Sequence, residues 1–337
     1  MTTYLAPPNR NGLVLSSADM LIVGKGGRAD NTTINNGGVE NVTGGVAAGT
    51  MINGGGVLNV DSGSASGTTI NGGGLENVSS PSSDSYHTTI NGGVEDLNGG
   101  KSYYSTINSG GVENVSGGAQ DFDTTINSGG VEKVILGILW NTRIDSGGVL
   151  NVGGRSDANK TTIHSGGVEN LTGTDHNTTI DGGGVLNVNS SGLSWNTTIH
   201  SGGILNINSL GVSNGATIDN GGVENVNAGG RAVEVTFAGD DGLLRVANPT
   251  GIANGKIIHW QVGDVIDLLN TKVTAVEEDT GRLYVQGTGF RPMQIALADQ
   301  QFDTKVAFQS DGHGGTDLIL TPMVGVASLH TEFSHIG

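Results

Sequence analysis

Asp145, His164, Asp181, His200 and Asp219 recur at spacings of 17 to 19 residues and alternate carboxylate with imidazole. Brought to one edge, three carboxylates and two imidazoles could hold a divalent cation or exchange protons. A second set is acidic: Asp84, Asp121 and Asp123, with Lys101, Arg143 and Lys160 as cationic partners. Paired carboxylates in a groove are the machinery of polysaccharide cleavage. A third set is aromatic. Tyr86, Tyr103, Tyr104, Phe122 and Trp140 fall close together, with Trp195 further along, in a chain that is only 4% aromatic. Exposed, such rings would stack on sugars or meet a partner protein. Whether any set converges depends on the elements that carry it.

Those elements are repeats. A core reading T-T-I-N-S-G-G-V-E-N-V returns about every 18 residues, with its isoleucine at 34, 52, 70, 90, 107, 126, 144, 163, 180, 199 and 218. So short and steady a period implies one solenoid turn per repeat. T-T-I reads as a strand whose first Thr and Ile face inward, and N-S-G-G reads as a tight corner in which Gly supplies positive φ. V-E-N-V reads as a second strand. Its first and fourth positions are almost always aliphatic, which predicts both inside, a bulge near the Asn, and Glu toward solvent because an unpaired buried carboxylate is costly. Strands this short must pair between rungs, in parallel. One further rung upstream, from Leu15 through Met20–Val23, makes about twelve rungs and a rod of roughly 55–60 Å.

Residues 1–12 read as an N-terminal cap or loose end, 13–230 as the solenoid, 231–322 as a β-rich C-terminal domain closing its open edge, and 323–337 as a tail. Sixty of 337 residues are Gly without a Gly-X-Y triplet, which excludes collagen and points to a thin, repeated core. The net charge of −17 argues against nucleic acid and anionic membranes. The absence of Cys rules out disulfides and Cys-based zinc sites. No apolar run suits membrane insertion, and Met1–Arg10 does not read as a signal peptide. No motif implies a cofactor. The acidic turns at Asp240-Asp241 and Asp311–Asp317 could hold Ca²⁺, although they lack the glycine-rich nonapeptide run of calcium-binding β-rolls.

Asn31–Val42 (NTTINNGGVENV), Thr124–Val134 (TTINSGGVEKV) and the opening segment Leu13–Gly27 (LVLSSADMLIVGKGG) resemble the repeats of AIDA-type adhesins, the passengers of self-associating bacterial autotransporters. The match covers roughly residues 13–230. G-D-V-I-D-L at 263–268 and S-D-G-H-G-G-T-D at 310–317 resemble modules that follow such repeats in secreted proteobacterial proteins. The resemblance implies a secreted or cell-surface protein acting in adhesion, aggregation or biofilm. Its partners would be further copies of itself, or glycans and proteins of host or bacterial surfaces. In some relatives a dedicated glycosyltransferase adds heptose to repeat serines. Here that points to the corner residues Ser109, Ser128, Ser146, Ser165 and Ser201. The translocator barrel of an autotransporter is a departure: nothing in this chain supplies it.

The sequence thus reads as an all-β parallel solenoid with a β-rich cap, non-enzymatic and adhesive through many weak repeated contacts. The alternative is a carbohydrate-binding or polysaccharide-degrading β-helix that uses the aromatic set.

Overall fold

One turn of the rod takes three strands. In the rung that begins at residue 112 they are Val112–Ser116, Gln120–Phe122 and Thr125–Ile126. Each lies parallel and in register on its counterpart in the next rung, so that Glu113 meets Glu132, Phe122 meets Trp140 and Ile126 meets Ile144. The computed structural model describes residues 2–300 and 303–323. Across them the chain forms a β-solenoid of about 14 turns.

The isoleucines are fully buried from Ile34 to Ile218, as are the closing aliphatics of the V-E-N-V strands such as Val42, Val78, Val115 and Val188. Each contributes about 1.5–3 kcal/mol by leaving water. The first Thr of T-T-I also faces in, while the second is half-buried on the outside. The corner follows from its glycines. Gly110 has φ +77°, and a Cβ on Gly111 would lie 2.5 Å from the Ile90 carbonyl oxygen of the previous rung. A larger residue there would push the rungs apart.

The V-E-N-V strand departs from expectation. It carries no bulge in most rungs and keeps the two-residue alternation of a regular strand. Its second and fourth residues face in and its first and third face out. The aliphatic first residue is half-buried against the same residue of neighbouring rungs, as in Val94, Val112 and Val131. The glutamates therefore point into the core.

Parallel stacking also runs further than the repeat motif. Thr3–Ala6 pairs with Met20–Gly24 and Arg10–Asn11 with Arg28–Asp30, so these two segments of the expected N-terminal cap stack on the rod as strands. Beyond 230, Glu234–Ala238 and Leu243–Val246 continue the ladders, and Lys256–Ile258 and Val265–Leu268 stack on them in turn. Phe237 and Trp260 are the bulky buried residues of this stretch. The motif fades there because the corners lengthen and lose N-S-G-G, although the inward alternation persists. Antiparallel strands then close the rod. Thr316–Pro322 pairs with Val265–Leu268, Thr304–Ser310 adds outside it, and Lys272–Asp279, Arg282–Thr288 and Met293–Ala298 form a meander. The tail beyond 323 lies outside the described residues.

Candidate functional site

The register sorts the sequence-predicted residues into separate columns. At the corner after T-T-I, the Asp/His series resolves into pairs. His164 Nδ1 lies 2.6 Å from Asp181 Oδ2, His200 pairs with Asp219, and Asp145 is taken by Arg143 at 2.9 Å. All are partly solvent-exposed, where such pairs are worth about 0–1 kcal/mol. Among the described residues no three His, Cys, Asp or Glu side chains converge to hold a metal ion. In the earlier rungs the same position is an amide ladder. Asn53 donates to Asn35 at 2.8 Å, Asn71 to Asn53 at 2.9 Å, and Asn127 to Asn108 at 2.8 Å.

The aromatic residues do form a column. Tyr86, Tyr103, Phe122 and Trp140 occupy one outward position on successive rungs, and Trp195 holds it three rungs on. The rings of Tyr86 and Tyr103 stack at 5.0 Å, and those of Tyr103 and Phe122 at 4.9 Å, nearly coplanar in orientation. Stacking covers both faces of Tyr103 and one face each of Tyr86 and Phe122, faces that a sugar would need. Tyr104 stacks on His87 at the next corner, where both hold positive φ. Trp140 and Trp195 are each 38% exposed.

Asp84, Asp121 and Asp123 do not meet. Asp84 lies on the outer face, Asp121 points into the core, and Asp123 sits at a corner accepting from Asn141. Asp121 ends up inside and Asp123 outside because the strand stops at Phe122 and Asp123 takes a positive φ of 60° at the corner. In the closing region Asp311 accepts from the backbone N–H groups of His313 and Gly315, and Asp267 pairs with Arg245 at 3.2 Å.

The five corner serines, Ser109, Ser128, Ser146, Ser165 and Ser201, are all exposed. The first four stand on successive rungs. Each packs against the positive-φ Gly at the corner of the following rung, which has room for the hydroxyl because it lacks a Cβ: one on Gly147 would fall 2.7 Å from Ser128 Oγ. The hydroxyls thus form an unobstructed line along one edge.

The residues that sequence reasoning placed wrongly are acidic. Glu40, Glu76, Glu95, Glu113, Glu132, Glu169 and Glu224 are 0% exposed, as are Asp121 and Asp175 from the strand between V-E-N-V and T-T-I. Burial pushes Glu40 to about 7, Glu224 to about 7 and Asp175 to about 7, the last opposed by a 2.6 Å hydrogen bond from Thr178. A signal for their orientation is in the sequence: Leu58, Leu150, Leu186 and Leu205 occupy the glutamate's position in other rungs and are fully buried.

These features define a parallel β-solenoid whose corners and outer faces carry regular ladders. It is similar to the crystal structure of a TibA fragment, residues 55–350, hyper-glycosylated by TibC. The two share 28% sequence identity with a TM-score of 0.68, over 87% of this chain and 97% of that one. No protein-family model and no curated protein matches the chain. Among the described residues no helix is long and apolar enough to cross a membrane.

Proposed function

We propose that this protein is a non-enzymatic, secreted or surface-displayed adhesive rod, glycosylated on its corner serines by a partner glycosyltransferase. The likeness to a TibC-glycosylated TibA fragment carries this reading. The repeat resemblance to AIDA-type adhesins and the exposed serine line support it. A glycosyltransferase that modifies one corner meets the same backbone geometry one rung further on, which favours repeated modification. Adhesion then follows from many equivalent weak contacts, whose sum grows with the number engaged at once. Tyr104, Trp140 and Trp195, with the exposed Ile135 and Leu136, offer apolar area outside the Tyr86–Tyr103–Phe122 stack.

Co-expression with TibC followed by intact-mass measurement tests the modification. A mass increase that shrinks in the S109A/S128A/S146A/S165A/S201A variant is expected. An unchanged mass in the unsubstituted chain overturns the glycosylation. Display of the rod on cells tests adhesion: sedimentation and surface binding no faster than in bare cells would sink that part.

A further inference from the structure

None of the contacts at the rod's surface uses the inward acids. Their densest run is a column. Glu76, Glu95, Glu113 and Glu132 are register partners on four successive rungs, about 4.8 Å apart along the rod axis. Asp121 joins them from the adjoining strand of the rung that holds Glu113. At the Glu76 end hydroxyls help. Thr68 and Thr88 reach Glu76 at 3.5 and 3.4 Å, and Ser105 reaches Glu95 at 3.3 Å. Further along they help less: no hydroxyl or amide reaches the carboxyl oxygens of Glu113, Asp121 or Glu132 in good hydrogen-bond geometry, although Ser102 lies near Glu113 and Thr124 near Asp121 and each side chain is wholly buried.

The groups facing Glu113 can be named by element. Glu95 and Glu132 lie on either side of it in the V-E-N-V ladder. Ser102, Asp121 and Leu139 come from the adjoining ladder, and Ser105, Thr124 and Thr142 line the T-T-I side. Asp123 lies outside at the corner beyond Asp121. Among the described residues no Lys, Arg or His is buried. Facing buried carboxylates with so few donors cannot all stay ionised; a proton on one makes it a donor to its neighbour.

We propose that the column from Glu76 to Glu132 is a proton-binding site, filled on folding, in which carboxylic acids hydrogen-bond from rung to rung. The proton is the ligand, it comes from solvent, and no other bond is made or broken. Burial accordingly pushes Glu76 to about 8 and Asp121 to about 6, and raises Glu95, Glu113 and Glu132 well above the usual carboxylate range. The unfolded chain releases these protons near the ordinary carboxylate value of about 4.3. Between that pH and the folded values the native state holds more protons, so stability falls as pH rises. Each proton retained raises the unfolding equilibrium constant about tenfold per pH unit.

Infrared spectroscopy of the folded full-length chain near pH 7, with denaturant titrations from about pH 5 to about pH 8, tests this. The expected results are a carboxylic-acid carbonyl band and an unfolding constant that climbs with pH. The E113Q/E132Q variant should show a weaker band and a shallower climb, because a neutral amide needs no proton. Should that variant fail to fold, the single E113Q and E132Q variants give the same comparison, and absence of the band in the unsubstituted chain still overturns the proposal. Absence of the band, stability that is flat or rises with pH, or stability at pH 8 that depends on added metal ions would each overturn the proposal.

Discussion

The rod has two halves that share a backbone and differ inside. From Glu76 to Glu132 the position before the V-E-N-V asparagine is acidic on every rung; beyond it leucine predominates, at Leu150, Leu186 and Leu205, with only Glu169 and Glu224 interspersed. Outside they differ again. The acidic half carries the stacked Tyr86, Tyr103 and Phe122, the leucine half the His164–Asp181 and His200–Asp219 pairs. One inward slot therefore accepts either chemistry. What it demands is a side chain of that length lying along the interior, and the acid meets the demand once it is neutral.

The largest expected effect is in the leucine half. Leu205→Ala should cost about 2–5 kcal/mol in denaturant unfolding, because it removes the apolar packing between Leu186 on one side and Glu224 on the other. Equal losses at a glutamate slot would erase the distinction. Next comes Glu40, an acid isolated between Leu21 and Leu58. Glu40→Leu should stabilise by up to about 3 kcal/mol at pH 8 and by far less near pH 4, because the raised value near 7 destabilises only above the unfolded carboxylate range. A pH-independent gain would mean that packing, and not protonation, sets the difference.

Smaller effects belong to the outer columns. Tyr103→Ala, which interrupts both stacks, should lower the stability of the acidic half by roughly 0.5–1.5 kcal/mol beyond the lost area. Asn108→Ala breaks two ladder bonds and should cost about 1 kcal/mol, read as a shift in thermal midpoint. His164→Ala should change stability by under about 1 kcal/mol and less still at high salt, since its pair with Asp181 is open to solvent. A loss as large as at Leu205 would show that the corner pairs hold the leucine half together.

The isoleucine column, the corner glycines, the inward first threonine and the exposed serines were legible because each recurs at the rung period, and only a stacked solenoid makes such recurrence useful. The period also placed Tyr86, Tyr103, Phe122 and Trp140 on consecutive rungs, but did not show that these four share one column. What it could not supply was the side of the sheet on which Glu lies. Hydrophobicity favours Val in both the first and fourth positions, and a rule against buried carboxylates sends Glu outward. The exchange of Glu with Leu at that slot held the opposite signal.

By itself the sequence determined a parallel β-rod and the spacing of everything on it, because a repeat of about 18 residues with one buried isoleucine has few other ways to close. Tertiary structure alone decided which neighbours touch. It split the Asp/His series into pairs and turned aromatic faces onto one another. It carried the ladders past the last motif to Leu268 and drew the glutamates inside, where contact with other acids, rather than residue type, governs their charge.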